Sequence, residues 1–241
     1  KQSRDIACEM ADHEIKAMND SLTAIFAYTP ELAASVRADE EKCDHYEDIL
    51  GTYLVKLSAR RLGIEESEEA TALLKSIGDF ERISDHAVDI IESAEEMRSK
   101  RLSFSKDAAA ELEVLSSAIR KILEMSRECF RNQDVTLAAK VEPLEQVVDG
   151  LKERLRTRHI LRMREGKCGI ETGFVLSDLL TGLERTSDHC SNIAGCVIDA
   201  AKHNLNLHET LRAARHDDAG FRSEFDSYAR EYALPAQCSL S

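Results

Sequence analysis

Chain breakers are scarce here: three prolines and ten glycines in 241 residues. A many-stranded sheet needs a turn about every 8–12 residues, so so few breakers point to long helices. Basic charge is also short. Thirty-two Lys and Arg stand against forty-five Asp and Glu, a net charge of −13. That balance excludes a nucleic-acid surface, which needs a basic face, and it suits cation binding if the acids cluster. No apolar run approaches the ~20 residues of a membrane span, and no signal peptide is present. Cys8, Cys43, Cys129, Cys168, Cys190, Cys196 and Cys238 make an odd count without a Cys-x-x-Cys pair. They read as reduced thiols of a cytoplasmic protein, with Cys43, Cys190 and Cys196 packed in the core. The chain opens on Lys1 rather than Met, which suggests a piece of a longer protein.

What is present favours helices. Hydrophobic residues make up 43% and charged residues 32%, enough for a continuous core under a solvated surface. Six long helices are expected: 3–27, 30–61, 67–100, one capped at Ser103, Ser105 or Asp107 and ending near Arg131, 134–165, and 171–203. Gly166 and Gly169 mark the fifth stop. Short connections force antiparallel neighbours. The expected fold is all-α, with two tandem three-helix bundles of long antiparallel helices at 1–102 and 103–205. A tail with one or two short helices occupies 206–241.

The two bundles are copies. Residues 80–90 read Phe-Glu-Arg-Ile-Ser-Asp-His-Ala-Val-Asp-Ile, and residues 183–193 read Leu-Glu-Arg-Thr-Ser-Asp-His-Cys-Ser-Asn-Ile. The Glu-Arg-x-Ser-Asp-His phrase returns after 103 residues. Four Glu-x-x-x-Asp pairs occur: Glu40/Asp44, Glu81/Asp85, Glu145/Asp149 and Glu184/Asp188. The first and third are 105 residues apart and the second and fourth 103, so each copy holds one pair on its second helix and one on its third.

Residues four apart lie on one helix face, where two like charges repel. Each Glu falls within an apolar stripe, such as Leu74, Ile77, Val88 and Ile91 around Glu81, and each Asp falls at the stripe's edge. Carboxylates on such a seam need a counter-charge. Arg82 and Arg185 sit about 100° off the stripe, which leaves a metal cation. Asp48 and Asp89 follow one turn on and extend the first set, where the second copy has Glu153 and Asn192. Asp89 against Asn192 predicts tighter metal binding by the first copy. His86 and His189 lie about 140° from the glutamates and read as packing residues. The Glu-x-x-His signature of oxygen-activating di-iron bundles is absent from these pairs. No phosphate loop, nucleophile elbow or catalytic constellation appears.

On these motifs the chain resembles the PhoU proteins. The stretches Val141-Glu142-Pro143-Leu144-Glu145 and 173–180 are similar to the C-terminal cytoplasmic domain of bacterial sodium/phosphate cotransporter-family proteins. The resemblance implies two three-helix bundles carrying iron or zinc clusters on Glu40, Asp44, Glu81, Asp85, Glu145, Asp149, Glu184 and Asp188. It also implies a non-enzymatic regulatory domain at the cytoplasmic face of the cell membrane. There it would tune a sodium-dependent phosphate transporter whose membrane domain is fused N-terminally, with a homo-oligomer admitted. The alternative is a free-standing phosphate-signalling adaptor. A two-metal phosphoesterase would need an open coordination position and a nearby base, and the sequence shows neither.

Overall fold

The computed structural model describes residues 2–59, 63–202 and 219–236, and these form helices with no strand among them. The helices are α1 (Gln2–Ala27), α2 (Pro30–Ser58), α3 (Ile64–Ser99), α4 (Lys106–Asn132), α5 (Val135–Ala138), α6 (Val141–Arg164), α7 (Ile170–Lys202) and α8 (Ala219–Glu231). Arg61 and His203, the expected ends of the second and sixth helices, lie outside the described residues, as does Cys238.

Local chemistry sets the boundaries. Thr29 caps α2, its Oγ1 accepting from the Leu32 amide at 3.2 Å, with Pro30 just inside the helix. Ser105 caps α4 by accepting from the Ala108 amide at 3.2 Å. The helix α3 begins three residues before the expected 67, because Glu66 reaches back to accept from the Gly63 amide at 3.1 Å. Past α6, Gly166 takes φ +69°, and the Lys167 amide donates to the Arg162 carbonyl at 2.9 Å.

The expected fifth helix is two helices, α5 and α6. Pro143 is the cause. It has no amide to bond the Ala139 carbonyl four residues back, and its ring crowds that carbonyl. The chain therefore turns at Ala139 and Lys140 and starts again, with proline in the first turn, where it is tolerated.

The helices α1, α2 and α3 pack on one another, and so do α4, α6 and α7. The triplets meet where α3 lies along α7 and α1 touches α4. One core runs through both, containing Met18, Cys43 and Ile83 as well as Ile119, Leu144 and Cys190. Phe80 and Phe130 meet edge to face across the junction, ring centres 5.0 Å apart, a geometry worth about 0.5–1.5 kcal/mol beyond its area. Asp79 on α3 accepts from His189 Nδ1 at 2.8 Å and from Asn192 Nδ2 at 3.3 Å on α7. Within the second triplet, buried Glu111 takes both Arg162 terminal nitrogens, at 3.0 and 2.8 Å. The helix α8 packs on α6, burying Tyr228.

Candidate metal centre

In the first copy, α2 supplies Glu40 and Asp44 and α3 supplies Glu81 and Asp85. Glu40, Glu81 and Asp85 are half-buried and Asp44 is exposed. Burial, then the nearby charges of Asp85 and Asp44, pushes Glu40 above the usual carboxylate range. Burial and then Asp85 raise Glu81 to about 7, with Glu47 adding to the repulsion. The nearest cation is the Arg82 guanidinium, its Nε 3.7 Å from Glu81 Oε2 and its side chain 63% exposed.

In the second copy, α6 supplies Glu145 and Asp149 and α7 supplies Asp188. One carboxylate oxygen from each lies within 4.8 Å of the others. Glu145 is buried, while Asp149 and Asp188 are exposed. Burial and the charges of Glu184 and Asp149 raise Asp188. Glu184 is drawn aside: Lys152 Nζ sits 2.8 Å from its Oε1. In three of the four pairs the Glu is the more buried member, as the stripe geometry implies; Glu81 and Asp85 are alike.

The two further ligands expected in the first copy are both exposed. Asp48 is exposed on α2. Asp89 is exposed too, its Oδ2 3.3 Å from His86 Nδ1 near the α3–α7 seam. Asn192, its counterpart, bonds Asp79. The Asp89/Asn192 difference thus falls at the α3–α7 seam. Each of these aspartates follows a motif glutamate by eight residues, which turns it about 80° away from that glutamate's face.

Sequence reasoning missed Glu47 and Lys152. Each follows its motif glutamate by seven residues, only about 20° off the same face. An i, i+4, i+7 search would have found both.

The PhoU domain family matches residues 7–94 and again residues 112–197. This chain belongs to the PhoU family. A PhoU relative from Thermotoga maritima, a phosphate-specific transport system accessory protein PhoU homolog 1, is 24% identical over 206 residues, covering 85% of this chain and 88% of that one. The accessory protein PhoU homolog of Deinococcus radiodurans is 27% identical over 168 residues, covering 68% and 76%. Among solved structures, PhoU from Pseudomonas aeruginosa superposes with a TM-score of 0.78 at 24% identity, covering 84% of this chain and 97% of that one. The phosphate transport system regulatory protein PhoU from Streptococcus pneumoniae gives 0.75 at 15% identity, covering 85% and 95%. The PhoU fold, an all-α helical bundle, is thus shared with both.

Proposed function

We propose that this chain is an accessory protein of a phosphate-transport system, acting on the transporter as a non-enzymatic regulator. The observation that carries the reading is the match of both copies to the PhoU domain. The relatives named above are accessory proteins of phosphate-specific transport systems, which favours the free-standing adaptor over a domain attached to a sodium-coupled transporter. No helix of the described residues is long and apolar enough to cross a membrane. The two stretches that suggested the sodium/phosphate branch have packing roles. Pro143 separates α5 from α6. Gly173 lets α7 approach α6, since a Cβ there would meet Met163 Sδ at 2.8 Å and His159 Nε2 at 3.1 Å.

A metal belongs to the same proposal. Both donor sets are all carboxylate, without His or Cys ligands, which suits a hard, oxygen-binding cation such as Mg²⁺, Ca²⁺, Mn²⁺ or Fe²⁺ better than zinc. Glu40, Asp44, Glu81 and Asp85 would hold it in the first copy, and Glu145, Asp149 and Asp188 in the second. When bound, it would supply the positive charge that lets α2 grip α3 and α6 grip α7.

Deleting the gene in its source organism tests the regulatory reading. Uptake of radiolabelled phosphate should lose its dependence on external phosphate, and the tagged protein should recover a phosphate transporter from detergent extracts. Unchanged uptake control would reject the role. Elemental analysis with anomalous scattering tests the metal, and none bound even after reconstitution with Fe²⁺ or Zn²⁺ would reject it.

A further inference from the structure

The C-terminal end of α6 gathers three soft donors that the carboxylate groups do not use. His159 and Met163 are four residues apart, so they share one helix face. The turn past α6, with Gly166 at φ +69°, brings the free thiol of Cys168 back over that face. Its Sγ lies 3.7 Å from His159 Nε2 and 3.8 Å from Nδ1. His159 is only 4% exposed, and its ring nitrogens have no other hydrogen-bond partner among the described residues. Burial and the Arg162 charge hold it below the usual histidine range, which keeps the imidazole neutral with a lone pair to offer. On the α7 side, His159 Nε2 and Met163 Sδ converge on one point. A Cβ built on Gly173 would stand 3.1 Å from the first and 2.8 Å from the second. Both residues line an open cavity of about 230 Å³ between α6 and α7.

We propose that His159, Met163 and Cys168 form a binding site for a soft monovalent metal ion, Cu⁺, independent of the carboxylate groups. Thiolate and thioether donors select Cu⁺, whereas structural zinc takes four ligands and does not use thioethers. Metal bonds of about 2.0 Å to nitrogen and 2.3 Å to sulfur, at angles of about 110–120°, place the two donors about 3.5–3.8 Å apart. The observed 3.7 Å falls in that range. Binding exchanges the Cys168 S–H proton, released to solvent, for the ion, with no change in oxidation state. Thiolate and Cu⁺ then cancel, so no net charge is added beside Arg162, which Glu111 already holds with both oxygens. A divalent ion would leave a positive charge there. Glu145 lies fourteen residues up the same helix, about 21 Å away along its axis, so the two kinds of donor cannot share one ion.

The test uses the full chain in a C8S/C238S background, which removes competing thiols outside the core. The reduced protein is titrated anaerobically with Cu⁺ held by the coloured chelator bicinchoninate, and with Ag⁺ as a probe that does not change oxidation state. Circular dichroism checks folding. One Cu⁺ per chain should leave the chelator, with new near-ultraviolet absorption from the copper–thiolate bond. C168S should abolish both signals. M163L, which conserves volume, should weaken binding by about tenfold or more, since even an outer-shell partner of a ligand is worth that much. E145Q/D188N should leave Cu⁺ uptake unchanged. No uptake by the parent protein, uptake indifferent to C168S and M163L, or Zn²⁺ retained in preference to Cu⁺ overturns the inference. Uptake lost in E145Q/D188N while the protein stays folded overturns the independence of the two sites.

Discussion

His86 and His189 hold the same place in the two copies, and their rings meet across the α3–α7 seam with centres 5.7 Å apart. Their surroundings differ. His189 Nδ1 lies 2.8 Å from Asp79, whose carboxylate accepts the bond in the tautomer that carries the proton on Nδ1. The residue equivalent to Asp79 is Gly182, and His86 pairs instead with Asp89 on its own helix at 3.3 Å. Burial, with His189 and Arg185 adding to it, holds His86 below the usual histidine range.

Asp79 serves both His189 and Asn192, so Asp79→Ala should cost about 1–3 kcal/mol of stability. In a double-mutant cycle with His189→Ala the two losses should overlap by about 1 kcal/mol. Urea denaturation measures this. Full additivity would show that the pair contributes nothing of its own.

Gly182 lies in the middle of α7 beside an open cavity of about 350 Å³ lined by His86, Asp89, Asp178 and Arg185. A Cβ at Gly182 would meet only Ile90 Cγ1, at 3.8 Å, an ordinary contact. Gly182→Ala should therefore raise stability by about 0.5–1 kcal/mol through helix propensity. A lower melting temperature would refute the open space.

Glu111 is 1% exposed and Arg162 is 6% exposed. Glu111→Ala should cost about 3–5 kcal/mol, because it strands a buried guanidinium. The double replacement E111L/R162M should recover most of that loss. A double variant as unstable as the single one would mean that the ion pair itself supplies the stability.

Glu14 is buried on α1, and its Oε1 has no hydrogen-bond partner among the described residues. Burial raises its carboxyl well above 4.5 despite the opposing Arg127 charge. Below about pH 4.5 both folded and unfolded states are protonated, and Glu14 imposes no penalty. Above that value the unfolded chain releases its proton first, so this group's contribution falls by about 1.4 kcal/mol per pH unit until the folded carboxyl also ionises. Glu14→Gln should remove that slope and stabilise the protein at neutral pH. Chemical denaturation of both proteins across pH 4.5–8 checks the difference, and parallel curves would contradict it.

The helices were legible because their ends carry chemical markers: Pro30, Gly63, Ser105 and Gly166. The α5–α6 break was not, because Pro143 reads equally well as a residue inside a helix start. The duplicated Glu-x-x-x-Asp pairs fall on the packed helices α2 and α3 and α6 and α7, and in three cases the Glu is the more buried member. What escaped was the third residue on each face. A search for like pairs ignores Lys152, and stepping one turn beyond Asp44 and Asp85 lands on the exposed Asp48 and Asp89. Partners of a side chain depend on which helix lies opposite, and a periodic pattern does not hold that information.

The seam that sets His86 on His189 has a further meaning. Each copy presents its third helix to its twin, so a single copy would offer an identical fragment much the same docking face. Two such fragments would pair as a symmetric dimer. Joining them through residues 100–105 makes that association intramolecular and independent of protein concentration. It also frees each half from symmetry. In a homodimer the acid of Glu47 and the base of Lys152 would be forced to be the same residue; in one chain they need not agree.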